Sequence, residues 1–133
     1  MQPSDPGATP RRLADARAAE ALFAPLARAR RETVAYAYLA PDHRLIGLRH
    51  MRSRDPGRVD VAIRDVAAHA LALDAAAVVM AHNHPSGDPT PSVADREATR
   101  LLARALATLD VRLVDHLVVA AGGTASFRRL GLL

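Results

Sequence analysis

Two histidines and an aspartate carry most of the chemistry this sequence offers. They lie in one run, His82-Asn83-His84-Pro85-Ser86-Gly87-Asp88-Pro89-Thr90-Pro91-Ser92-Val93-Ala94-Asp95. Histidines at i and i+2 near the end of a strand project to the same side, so both imidazoles can reach one ion. Asp95 follows His84 by eleven residues, in the first turn of an expected helix, and a loop of that length can return it to the strand end. Three protein ligands leave the fourth corner of a tetrahedral zinc ion open to water, the mark of a catalytic rather than a structural site. Zinc lowers the pKa of such a water to about 7. A carboxylate outside the ligand set is then the natural acceptor for the proton.

Each part of the run also has a plainer reading. Ser92-x-x-Asp95 ahead of an apolar-periodic stretch is a capping-box-like helix start, with an acid favoured by the helix dipole. An isolated His-x-His often ligates nothing, and the prolines and glycine serve equally as loop chemistry. The coincidence of all three in one segment favours a bound ion.

Composition narrows the choice of ion ligands. The 133 residues contain no cysteine, which excludes disulfides, thiolate metal sites and thiol catalysis, so a metal must be held by His, Asp or Glu. All 18 basic residues are arginine, which excludes a lysine Schiff base or a P-loop lysine. The net charge of +4 supports only weak, salt-sensitive attraction to polyanions, and four aromatics are poor material for stacking bases. The first ten residues lack a signal-peptide core, and no stretch approaches the ~18 apolar residues of a membrane span, so a soluble cytoplasmic protein is expected.

The elements that must position these groups are legible from pattern. Residues 1–10, with three prolines and a glycine, are expected to be a disordered leader. An Ala/Arg-rich segment, 11–31, is expected to be helical and interrupted near Pro25. Residues 32–133 are expected to form the main domain. In it, 32–39 and 44–51 form a hairpin across Pro41-Asp42-His43, 52–58 is a loop around Asp-Pro-Gly, and 61–73 is a helix. Residues 75–81 form a buried strand, 82–91 an irregular loop, and 92–109 a helix with Leu101, Leu102, Leu106 and Leu109 on its apolar side. Residues 111–120 and 124–128 close a second hairpin at Ala121-Gly122-Gly123. This order predicts one α/β domain, an α/β/α sandwich with a mixed, mostly antiparallel sheet.

The run at 82–95 resembles the JAMM (MPN+) pattern of His-x-His-Pro, a loop and Ser-x-x-Asp, with a glutamate upstream. His-Asn-His-Pro-Ser-Gly-Asp-Pro-Thr-Pro-Ser is more closely similar to the bacterial RadC-like branch of JAB domains. The flanks agree at Arg44-Leu45-Ile46, Ala70-Leu71-Ala72-Leu73, Asp115-His116, Ser126-Phe127 and Gly131-Leu132-Leu133. The resemblance covers roughly residues 30–133. It implies a JAB/MPN, cytidine-deaminase-like fold and hydrolysis of a peptide or isopeptide bond, with one zinc ion per chain bound by His82, His84 and Asp95. It further implies that Glu32 is the general base and that Ser92 donates a hydrogen bond to the oxyanion. On spacing alone Glu32, following Arg30-Arg31, is an ordinary strand-end acid, and His116 beside Asp115 is hydrogen-bonded core packing or, as the alternative, a residue that supports a metal ligand.

The chain also departs from the pattern. Relatives of this kind carry an N-terminal helical module, often helix-hairpin-helix, associated with DNA, and only about thirty residues precede the domain here. Where they tend to have Tyr-Pro-Arg-Glu, this chain has Ala62-Ile63-Arg64-Asp65, and the 52–58 loop differs in glycine placement. Both changes bear on the substrate groove rather than on the metal loop. Two rival readings follow: a non-catalytic MPN-fold binding module, and a DNA-associated protein, RadC relatives carrying a DNA-repair label. The arginine clusters at 11–12 and 28–31 permit backbone contact with nucleic acid, but a peptide or protein substrate is the expected partner.

Overall fold

The computed structural model describes residues 12–52 and 61–133, so the expected leader and the Asp-Pro-Gly loop lie outside the described residues. The chain order is α1 (Ala16–Phe23), a 3-10 turn (Ala24–Arg28), β1 (Thr33–Leu39), β2 (Leu45–Arg52), α2 (Val61–Ala72), β3 (Ala77–Asn83), α3 (Val93–Ala107), β4 (Arg112–Ala120) and β5 (Gly123–Ser126). The strands form one sheet in the order β2-β1-β3-β4-β5. Only β3 and β4 are parallel, and α3 provides the crossover between them.

Alternation along the strands divides the core into two layers, giving the expected α/β/α sandwich. Ala77, Val79 and Ala81 of β3 join Leu117 and Val119 of β4 against Ala19, Phe23 and Leu26 of the N-terminal helical segment. Val78 and Met80 point the other way, toward Val66 and Ala70 of α2 and Leu102 and Leu106 of α3. Phe23 is buried to the same degree as the strand residues it covers, so the helical segment Ala16–Arg28 supplies one wall of the sandwich. Its helix starts at Ala16, where the Asp15 carboxylate accepts the Ala18 N–H. Pro25 stands in the 3-10 turn, at the interruption expected there.

Two details of the elements differ from the sequence reading. The third strand runs two residues further than expected, to Asn83, because His82 and Asn83 still pair with Val118 and Val119. On α3 the buried stripe is Asp95, Thr99, Leu102 and Leu106, whereas Leu101 is 51% exposed. Adjacent residues stand about 100° apart on a helix, so Leu101 and Leu102 cannot both face the sheet.

An irregularity in β4 decides what reaches the α3 face. Val78 pairs with Leu113 but Val79 pairs with Asp115, leaving Val114 as an extra residue. Leu113 and His116, three apart, thereby share one face, and a regular strand would have turned His116 to the opposite layer.

Candidate metal centre

The site forms where β3 ends beneath the first turn of α3. His82, the last inward residue of β3 on the α3 face, is 3% exposed. His84 continues the same side, with its backbone N–H donating to Val119 O at 2.9 Å. Their Nε2 atoms stand 3.0 Å apart. The Asp95 carboxylate reaches both, with Oδ1 at 3.3 Å from His82 Nε2 and Oδ2 at 3.1 Å from His84 Nε2.

The capping box expected as the plain reading is present, and it serves to aim the carboxylate. Ser92 Oγ accepts the Asp95 N–H at 3.0 Å, and Asp95 Oδ2 accepts the Ser92 N–H at 2.8 Å. Helix start and convergence are thus one arrangement. Burial pushes the Asp95 carboxyl up, but contacts with His82 and the bonds from Ser92 outweigh it and hold it well below the ordinary carboxylate value. Asp95 therefore faces the imidazoles as an acceptor-only anion.

The loop between His84 and Ser92 sets the orientation of the second ring. His84 Nδ1 lies 2.8 Å from the Asp88 carbonyl, which only accepts, so Nδ1 carries a hydrogen and Nε2 is the atom the ring can offer to an ion. Asp88 Oδ1 in turn accepts from the Thr90 backbone N–H and hydroxyl, holding its carboxyl below the usual range. Gly87 adopts φ +92°, and its carbonyl accepts the Gly122 N–H of the β4–β5 turn at 3.0 Å. A Cβ on Gly122 would stand 2.5 Å from that oxygen, so the approach requires glycine.

These donors suit a divalent cation. A tetrahedral ion with ligand bonds of about 2.0–2.2 Å separates its ligands by about 3.3–3.6 Å, close to the 3.0–3.3 Å found among His82, His84 and Asp95. An uncompensated cluster of acceptors at this spacing is repulsive, and a cation relieves it. Glu32, immediately before β1, brings a carboxylate oxygen to within 4.8 Å of the nitrogens of both histidines. It stands further from the rings than Asp95, which contacts them directly. Glu32, His84, Pro85, Ser86, Ser92, Ala94 and Asp95 line an open cleft of about 350 Å³. Ser92 uses its oxygen as the helix cap, which leaves its hydroxyl proton free to turn into this cleft.

All five residues singled out from sequence are brought together, while Asn83 and Thr99 carried no sequence expectation and His116 takes the supporting place that was its alternative reading. Asn83, buried and on the opposite face of β3 from the histidines, donates through Nδ2 to Ala29 O and Arg31 O, both at 3.0 Å, and accepts the Thr33 N–H at 2.6 Å. It brackets Glu32 on both sides. His116 Nε2 lies 2.6 Å from His82 Nδ1, and His116 Nδ1 lies 2.6 Å from Thr99 Oγ1, whose hydroxyl also contacts Asp95 O at 2.6 Å. Phe127 stacks on the far side of His116, with ring centroids 4.4 Å apart. Burial, with His82 second, holds the His116 imidazole well below the ordinary histidine value, so it is neutral. For the Asp-His pair, core packing and a supporting role behind a ligand are the two readings. Asp115 fits the first, its carboxylate accepting from Ser126 Oγ, His116 N and Arg128 N, but His116 also bonds to the site. The i, i+4 spacing of Asp95 and Thr99 was the available sign for Thr99.

Comparison with known proteins gives a consistent family. The RadC-like JAB domain profile matches residues 13–132. A UPF0758 protein of Polaromonas sp. strain JS666 is 47% identical over 102 residues, covering 77% of this chain and 46% of that protein. UPF0758 proteins of Burkholderia thailandensis and Stenotrophomonas maltophilia are each 46% identical, over 76% and 77% of this chain and 38% and 44% of theirs. The chain spans less than half the length of these curated relatives. Among the described residues, no helix is long and apolar enough to cross a membrane.

Proposed function

Because the chain belongs to the RadC-like JAB domain family, we propose that it is a zinc-dependent hydrolase of amide bonds, in peptide or isopeptide linkage. The observation that carries this reading is the meeting of His82, His84 and Asp95 at 3.0–3.3 Å, with Glu32 beside them on an open cleft. His82 Nε2, His84 Nε2 and the Asp95 carboxylate would hold the zinc. Bound there, the ion would supply a water acidic enough to ionise near neutral pH and would polarise the scissile carbonyl.

Glu32 takes the proton of the attacking water and passes it to the leaving amine, as its position outside direct contact with the rings allows. Ser92 turns its free hydroxyl proton toward the oxyanion that develops on the substrate carbonyl. Asn83 keeps the backbone on either side of Glu32 fixed, so the base does not drift from the cleft. Openness of the cleft suits an extended polypeptide better than a small enclosed molecule.

Two measurements on the same preparations test the proposal. Protein purified without chelators should contain one zinc per chain, and a peptide-library digest should show cleavage that Glu32→Gln reduces by about 10²–10⁴-fold with the zinc retained. Protein that takes up no zinc, or a Glu32→Gln variant with undiminished cleavage, overturns it.

A further inference from the structure

The line Thr99–His116–His82 admits two proton arrangements, which differ at the atom that faces Asp95 and His84, and only the first keeps the Thr99 bond to Asp95 O. With both rings neutral, each carries one proton, and the threonine hydroxyl has one. In the first arrangement Thr99 donates to Asp95 O, His116 donates through Nδ1 to Thr99 Oγ1, and His82 donates through Nδ1 to His116 Nε2. His82 Nε2 is then a bare lone pair. In the second, Thr99 gives up its bond to Asp95 O to donate to His116 Nδ1, His116 donates through Nε2 to His82 Nδ1, and His82 Nε2 carries a hydrogen directed at its neighbours 3.0 and 3.3 Å away. The two arrangements contain the same number of protons, and a change at one bond forces a change at every other.

We propose that Thr99 and His116 are positioning residues that act as a tautomer relay, switching His82 Nε2 between a hydrogen-bearing form and a cation-binding form. The inference rests on the reading of His82, His84 and Asp95 as a zinc site. His84 needs no such relay, because the Asp88 carbonyl fixes its proton on Nδ1 in either case. A cation at His82 Nε2 selects the first arrangement, in which Thr99 Oγ1 must accept from His116. The connection passes through buried atoms only: His82, Thr99 and His116 are each 3% exposed or less. Water therefore does not replace a lost partner in the line. The displaced register at Val114 is what brings His116 into it, and Phe127 stacked on the ring confines the ring plane.

Thr99→Val keeps the side-chain shape and deletes the acceptor that the cation-binding arrangement needs, whereas Thr99→Ser restores it. Titration of the metal-free full chain with zinc against a competing chelator should show affinity about 10–100-fold lower in Thr99→Val and near wild type in Thr99→Ser. Ring-nitrogen NMR shifts of the wild-type chain give an independent readout that requires no variant to fold. Zinc-loaded protein should carry its proton on Nδ1 in both His82 and His116. A Thr99→Val affinity within about twofold of wild type, or a loaded protein with the His116 proton on Nε2, overturns the relay while leaving the zinc site standing. Wild-type protein that binds no zinc overturns the site itself, and the relay with it.

Discussion

Removing the Asn83 side chain should loosen the segment that carries Glu32 without touching the histidines. The carboxamide makes three hydrogen bonds, to Ala29 O, Arg31 O and Thr33 N, at 3.0, 3.0 and 2.6 Å. A net hydrogen bond is worth about 0.5–1.5 kcal/mol, and an orphaned buried group costs about 1–3 kcal/mol. Arg31 is exposed, and Ala29 and Thr33 are half-buried, so water can reach most of the abandoned partners. The lower figures therefore apply, and Asn83→Ala should cost about 1.5–3 kcal/mol, read from urea unfolding with zinc absent. Asn83→Asp turns a carboxylate toward two carbonyl oxygens while keeping the acceptor for Thr33, and should cost at least as much. In both variants the Thr33 amide should exchange hydrogen faster than in wild type, and zinc stoichiometry should remain at the wild-type value, since Asn83 faces away from the imidazoles. Unchanged Thr33 exchange together with a stability change under about 0.5 kcal/mol would show that the segment is held by something other than Asn83.

Replacing Ser92 separates capping from chemistry. Ser92→Gly should cost only a few tenths of a kcal/mol as a cap, whereas Ser92→Ala should cost about 1 kcal/mol, yet both should lower turnover by about 10²–10³-fold if the hydroxyl serves the oxyanion. Equal stability losses with unequal turnover would contradict this division. Gly122→Ala should destabilise by about 1–3 kcal/mol in thermal unfolding, because the Gly87 carbonyl is backbone and cannot yield; a neutral substitution would mean that the turn relaxes freely. Alkaline titration reports on the two tyrosines. Burial pushes Tyr38 up to about 12, Arg49 opposing and Asp65 adding to it, and burial followed by Tyr38 and Asp65 pushes Tyr36 higher still. A tyrosine raised in the folded state contributes stability that is complete below the unfolded value near 10 and is lost as pH rises from there through about 12. Tyrosinate absorbance should accordingly rise together with unfolding, and a rise near pH 10 with the fold intact would refute it.

The fold was legible because its elements differ in period and are punctuated. The apolar run Val78-Val79-Met80 reads as strand, the spacing of Leu102 and Leu106 as helix, and Gly122-Gly123 as a turn. The cluster of His82, His84 and Asp95 was legible because its members are close in sequence. What pattern could not show is which face a residue takes after an irregularity: one extra residue at Val114 reverses the alternation and delivers His116 to the site. Asn83 was hidden for a related reason. It sits between the two histidines in sequence but on the other side of the sheet, and its partners lie about fifty residues away. Glu32 has no local signature either, since its place depends on β1 pairing with β3, with Val34 beside His82.

The tripeptide His82-Asn83-His84 shows how one strand end can serve two duties through alternation alone. The even positions gather acceptors above the sheet, and the odd position ties down the segment that carries Glu32 from below. Gathering acceptors has an energetic consequence for the chain without an ion. A carboxylate and two imidazole nitrogens within 3.3 Å of one another repel unless a proton or a cation lies among them, so the fold holds them against that repulsion through the α3 capping box, the Asp88 carbonyl and the core beneath. A cation that binds only the folded chain returns stability as its concentration rises, by about 2.7 kcal/mol at a hundred times its dissociation constant. Zinc should therefore raise the unfolding midpoint of the wild-type chain, and it should do so far less in Asp95→Asn. That variant still offers an oxygen to the Ser92 N–H but presents no negative charge to the rings. Equal zinc-induced shifts in the two proteins would mean that the stabilising ion sits elsewhere.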